Sequence, residues 1–515
     1  MHGFETILIV MGAAVAMSLL AQKLKAPFPP FVALAGAMAA FLPFAPELTL
    51  DPRLVLALFV APVLLDAAFD SSLRDLKRNV VPIALLSLVA VLITTVAVAL
   101  TAKMMVPGLP WPAAVALGAI VAPPDAAAAT AVLRIIPAPF RIRTVLEGES
   151  LFNDAGALLI YKLAVLTMVA AMPVGWSLGG TILLATAGSV LFGLIAAWLQ
   201  MRVVSLLTEA PPAIVMQFVG GFGLWIMAEH LGLSAIITIV VFALAIARMS
   251  ARNPATLRVP TYAVWETVVF ALNVLAFMLV GLQIGPIWRE LEPGQRIDYA
   301  LFALAVLGVC VVVRMAWVLG YNGVSQTWNR LSGRQLSRDR NAPSFASGLV
   351  VGWAGMRGVV SLAAAYALPV NFPYRDLILL AVFAVVMGTL VIQGLTLGPL
   401  IRWMGFGDDG VLAGEIRKAR AAIVEAAIQH IEDRDAPPAK RLLAEYRERR
   451  DAVHECGPGD GRVTLAIDEL TAEVLSVERD RLLEMRLWGG VSDAAYYQIE
   501  EELDRRELAL TPVVR

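Results

Sequence analysis

Two acids stand in stretches apolar enough to cross a lipid bilayer. The octapeptide Glu-Gly-Glu-Ser-Leu-Phe-Asn-Asp, Glu147 to Asp154, leads straight into an apolar run, and the preceding run carries Ala122-Pro123-Pro124-Asp125-Ala126-Ala127. A carboxylate at membrane depth is costly and persists where it meets a partner, water or an ion. Ser150 and Asp154 are four residues apart, so on a helix they share one face about a turn apart. Carboxylate and hydroxyl are hard oxygen ligands, suited to an alkali cation rather than to a soft metal. Pro123 and Pro124 remove amide donors and block the bond to the preceding turn. Carbonyls freed in this way can coordinate a cation, as in the opened helices of transporters. Together these residues describe a buried cation and proton site. The plainer readings are an Asp154 that only hydrogen-bonds a neighbouring helix and an Asp125 that caps a proline kink. The membrane-depth position of Asp154 favours function, and that motif carries Asp125 with it. The chain has four histidines and no His/Cys cluster, which argues against a transition-metal site.

Other charges lie in apolar surroundings. Asp66, in Leu64-Leu65-Asp66-Ala67-Ala68-Phe69-Asp70, sits near the inner end of its segment and could complete an ion shell. Asp70 lies a turn nearer Arg74 and reads as an interfacial ion pair. Arg357, in Gly355-Met356-Arg357-Gly358-Val359-Val360-Ser361, needs a counter-charge, and Glu149 is the expected partner. That pair would hold helices together rather than bind the transported ion, and its flanking glycines would allow close helix approach. For Lys162 and Arg314, snorkelling or a local carboxylate partner is expected.

The elements that must position these groups are legible from composition. The 515-residue chain is 59% hydrophobic and 16% charged, against about 45–50% and about 25% in soluble domains. The excess falls in blocks at 4–22, 27–45, 53–70, 80–102, 111–135, 145–171, 177–200, 211–230, 232–248, 264–285, 299–320, 345–369 and 376–404. Each approaches the span length of a bilayer-crossing helix, which makes about thirteen. The last is long enough for two short helices. The first lacks a basic leader and an Ala-x-Ala cleavage site, so a retained span is expected. Lys and Arg concentrate in the connections after odd-numbered spans, among them Arg74, Lys77, Arg78, Arg141, Arg143, Arg248 and Arg252. That excess marks the cytoplasmic side, which puts the N-terminus outside and the C-terminus in the cytoplasm.

After Gly405 the composition turns to Ala, Glu, Arg and Leu with helical periodicity at 416–431 and 442–453, punctuated by Ala436-Pro437-Pro438 and Gly457-Pro458-Gly459-Asp460-Gly461. The expected division is a transmembrane domain, 1–405, and a cytosolic helical domain, 406–515. The second carries no motif for a reaction. Cys310 and Cys456 lack metal-ligand spacing and read as structural thiols, and a net charge of -1 argues against a nucleic-acid partner.

These residues resemble the cation–proton antiporter superfamily, in its NhaP and NHE-like sodium/proton exchanger branch. The resemblance rests on Leu-Asp-Ala-Ala-Phe at Asp66, Ala-Pro-Pro-Asp at Asp125, the octapeptide ending at Asp154 and Gly-Met-Arg-Gly-Val-Val-Ser around Arg357. It implies an all-α polytopic membrane fold of about thirteen helices with an inverted repeat and broken core helices, split into a dimerisation domain and a mobile core, and hence a homodimer in the plasma membrane. It also implies that Asp154 alternately holds cation and proton. Ser150, Asp66 and a main-chain carbonyl at the broken helix near Pro124 would add ligands, Asp125 is read from its own surroundings as part of the same site for Na+, K+ or Li+, and Glu149 would pair with Arg357. Two positions depart from the usual pattern: Pro124 stands where a threonine is common, and Asp66 where glutamate is more usual. Asn153 beside Asp154, in place of two adjacent aspartates, is similar to the electroneutral branch.

The expected activity is therefore electroneutral sodium/proton antiport by alternating access, without a cofactor. Burial and a second carboxylate both favour the protonated form of an acid, so proton and cation would compete for the same oxygens. No Gly-x-x-x-x-Gly-Lys-Ser/Thr stretch is present, so an ion gradient must drive the cycle. The same ligands would serve a potassium/proton exchanger. A cation channel lacks a selectivity-filter sequence here. An intramembrane hydrolase lacks a nucleophile elbow and a histidine near Ser150.

Overall fold

The computed structural model describes residues 2–24, 26–42, 52–135, 139–170, 176–207, 209–250, 254–331 and 344–406. In the C-terminal part it describes 411–432, 439–440, 442–447, 450, 474–478, 480–482, 484–485, 499 and 502–507. Every regular element among them is helical. The chain divides into two compact units, Met1–Asp409 and Gly410–Arg515.

In the first unit, seven helices among the described residues are long and apolar enough to cross a membrane, and five shorter apolar helices accompany them. Their outward faces are greasy: Ile9, Leu183 and Leu184 are each more than 70% exposed. So much contiguous apolar surface is stable only against lipid or another protein. The unit is a multi-pass membrane structure.

The apolar blocks correspond to helices, with two instructive differences. The block 264–285 belongs to a helix that already starts at Ala255, and 299–320 lies within Arg296–Leu331. Polar residues extend a helix past the hydrocarbon, where water satisfies their side chains, so hydropathy marks the membrane part and not the helix. The block 376–404, long enough for two helices, is continuously helical from Arg375 to Trp403 through a π-helical turn at Thr389–Gln393.

Two segments are interrupted. The first comprises Trp111–Val121 and Ala126–Ile135, broken at Pro123-Pro124, which can neither donate amide bonds nor accommodate the preceding turn. The second comprises Phe345–Trp353 and Val359–Tyr366. It opens on a capping box in which Ser344 and Ser347 each accept the other's amide, at 3.0 and 2.9 Å. No proline interrupts it; residues 354–358 leave the helix between Gly355 and Gly358. The helix Phe140–Ala170, which carries the octapeptide, packs against Trp111–Val121, and Arg296–Leu331 packs against Phe345–Trp353 and Arg375–Gly388. Elsewhere Phe28–Ala39 and Ala255–Leu282 cross at Gly36 and Gly281, where a Cβ on either glycine would strike the other helix's backbone.

In the second unit, Val411–Glu432 covers the periodic stretch 416–431, and residues 442–447 are helical. Leu475, Leu482 and Leu503 form a small apolar cluster, flanked by an exposed Arg506–Glu478 pair at 2.8 Å. The expected turns at 436–438 and 457–461, and Cys456, lie outside the described residues.

Candidate cation site

The two interruptions meet. The amide of Asp125 donates to the Met356 carbonyl at 2.6 Å, so the unwound backbone of one segment lies against that of the other. The Asp125 carboxylate occupies the space that a side chain at position 358 would need, so only glycine permits this approach. Arg357 reaches across: its Nε donates to the Val121 carbonyl at 2.9 Å and Nη2 to the Ala122 carbonyl at 3.2 Å. Those two carbonyls end the helix Trp111–Val121, where the missing next turn leaves acceptors without helical donors. A third donation, from Nη1, goes to the Gly355 carbonyl. The guanidinium therefore caps a broken helix and braces its own unwound segment at once.

The octapeptide helix completes the arrangement. Asn153 is fully buried and its Nδ2 donates to the Pro124 carbonyl at 2.8 Å, fastening the helix to the first interruption. The carbonyl expected to be free for a cation therefore has one lone pair engaged. The Asn153 Oδ1 is buried without a donor among the described residues. Next in sequence, Asp154 is buried, 6% exposed. It lies close enough to Asp125 for the two charges to interact. Ser150, also buried, lies one turn back along the same helix. Asp66 is half-buried on Ala61–Asp70, which contacts the octapeptide helix, with Leu64 and Leu151 in one apolar cluster. Asp70 has its side chain outside the described atoms. Lys162 is exposed on the protein's flank.

One expectation is corrected. Glu149 does not pair with Arg357. Its carboxylate takes a two-pronged contact from Arg314, Nη1 to Oε1 at 2.5 Å and Nη2 to Oε2 at 2.9 Å. Arg314 also donates to the carbonyls of Gly352 and Val351, each at 3.2 Å, at the end of Phe345–Trp353. The reason is division of labour between two buried guanidiniums. Arg314 takes the carboxylate and one set of helix-end carbonyls, and Arg357 spends its donors on the other set.

For Arg314 the expected alternative of a carboxylate partner holds, and that partner is Glu149; what the sequence concealed is which arginine the acid takes. The signal of Arg314 was present, an arginine midway along an apolar span, but two arginines competed for one acid. A residue the sequence did conceal is Thr389, whose hydroxyl accepts the Arg357 amide at 3.0 Å.

The comparisons decide the family. The profile described as "Sodium/hydrogen exchanger, transmembrane" matches residues 8–403. The chain belongs to the sodium/hydrogen exchanger family. This exchanger is 28% identical to the Na+/H+ antiporter ApNhaP of Aphanothece halophytica, over 94% of this chain and 91% of that protein. It is 26% identical to a sodium, potassium, lithium and rubidium/H+ antiporter of Bacillus subtilis, over 92% of this chain and 73% of that one. The fold is similar to the sodium proton antiporter MjNhaP1 of Methanocaldococcus jannaschii at pH 8, with a TM-score of 0.60 and 18% identity over 79% of this chain and 100% of that one. The exchanger is accordingly a multi-pass antiporter and not an enzyme.

Proposed function

We propose that this exchanger swaps one Na+ for one H+ without net charge movement, with Asp154 as the carboxylate that both ions share. One observation carries the reading: a buried aspartate beside a second carboxylate, where two broken helices meet. A bare charge there is unfavourable by several kcal/mol. Either a cation or a proton removes it. With that charge cancelled the loaded carrier can change sides, while the empty carrier is held back, so transport in one direction requires return with the other ion. Ser150, Asp125 and the second lone pair of the Pro124 carbonyl supply further oxygens, with Asp66 contributing from the adjoining helix. Asn153 keeps Pro124 in register, and the Glu149–Arg314 pair and Arg357 hold the frame.

The same oxygens would serve K+ or Li+, and the ion range in the name of the Bacillus relative favours testing a potassium/proton exchange reading. The exchanger is placed in the plasma membrane as a homodimer, N-terminus outside, with residues 1–405 in the membrane and 406–515 in the cytosol. Lys and Arg distribution supports the orientation.

Proteoliposomes loaded with a pH-sensitive dye test the proposal. Sodium, lithium or potassium pulses should drive proton movement that is indifferent to a clamped membrane potential, and Asp154→Asn should abolish it. Voltage-dependent exchange would rule out the one-for-one stoichiometry, and an active Asp154→Asn variant would remove the carrier.

A further inference from the structure

The Met356–Arg357 peptide is held at both ends. Its carbonyl accepts the amide of Asp125 at 2.6 Å, and its N–H donates to the Thr389 hydroxyl at 3.0 Å. Thr389 is 1% exposed and opens the π-helical turn Thr389–Gln393. Its own hydrogen goes back along the helix to the Val385 carbonyl at 2.7 Å, the usual bond of a threonine in a helix, which leaves a lone pair for a further donor. Residues 354–358 are outside any helix, so the Arg357 amide has no helical acceptor, and a buried amide without one is strongly disfavoured. Nothing else among the described residues is bonded to that amide.

We propose that Thr389 is a positioning residue for cation binding. Its hydroxyl fixes the tilt of this one peptide, and the opposite end of the peptide fixes the backbone of Asp125 beside Asp154. The π-helical turn fits this role, since such turns displace the following residues from the regular helical path and recur at functional sites. The inference rests on reading Asp154 and its neighbours as the cation site.

The test compares Thr389→Val, which keeps the shape and loses the acceptor, with Thr389→Ala and with Thr389→Ser, which keeps the hydroxyl. Initial rates of sodium-driven proton movement are measured on the folded, reconstituted fraction across a sodium series, with Asp154→Asn in parallel. Loss of the bond should raise the apparent KM for sodium by about five-fold in the Val and Ala variants, with the rate at saturating sodium little changed and the Ser variant close to wild type. An unshifted KM in Val and Ala would overturn the proposal, and so would an equal shift in Ser. So would assembly of the Ser variant while Val and Ala both fail to fold, which assigns the hydroxyl to folding alone. An inactive Asp154→Asn with unshifted Thr389 variants would remove only the positioning role. Retained exchange in Asp154→Asn would instead remove the site itself.

Discussion

Replacing Glu149 by Leu should destabilise the membrane unit severely, and replacing Arg314 as well should restore much of the loss. Arg314 and Glu149 are both almost fully buried, with side chains 3% and 1% exposed. Truncating the acid removes two charge-assisted hydrogen bonds, each worth about 1.5–3 kcal/mol. Among the described residues Arg314 then keeps two long contacts, to Gly352 and Val351 at 3.2 Å, for a charge that cannot leave the protein interior. Breaking one side of such a pair costs about 3–5 kcal/mol. Glu149→Leu with Arg314→Met removes both charges together, so the doubly substituted protein should be more stable than the sum of the single losses by about 2–3 kcal/mol. Equilibrium unfolding in mixed micelles across the full double-mutant cycle measures that coupling. The matching cycle of Glu149 with Arg357 should show a much smaller one, because Arg357 spends its fork on main-chain carbonyls. A larger coupling in the Arg357 cycle would refute the pairing.

Two further outcomes follow from the crossing. Gly358→Ala should inactivate exchange in proteoliposomes while leaving an assembled protein, because the new Cβ collides with the Asp125 carboxylate; near-normal rates would show that Asp125 is free to move. Arg357→Lys should lower stability by about 2 kcal/mol in the same unfolding assay, since an ammonium cannot reproduce the planar fork that serves three carbonyls; unchanged stability would mean that the charge alone suffices.

What was legible in the sequence was whatever is expensive in lipid. Acids at Asp125 and Asp154 and the proline pair before Asp125 advertise themselves, because an apolar segment has no other reason to keep them. The first interruption could be read from Pro123 and Pro124 directly. The second has no proline, and the glycines flanking Arg357 read equally well as close helix packing. What opens that segment is tertiary: the Met356 carbonyl and the Arg357 amide find partners on other helices. Pairing was hidden for the same reason. Glu149 had two buried arginines within reach of argument, and only the fold decides which one it touches. Thr389 gave no signal at all, since a threonine in an apolar helix ordinarily bonds its own preceding turn. The helix ends beyond the bilayer were lost to hydropathy because polar residues are equally stable in helices once water is present.

The shared carboxylate is tested most directly by counting protons when sodium binds. Purified protein titrated with sodium chloride in weakly buffered detergent solution should release about one proton per bound cation near neutral pH, since one carboxylate holds either ion. Asp154→Asn should bind no sodium and release none. Sodium binding with undiminished proton release in Asp154→Asn would contradict the assignment and move the competition to another group.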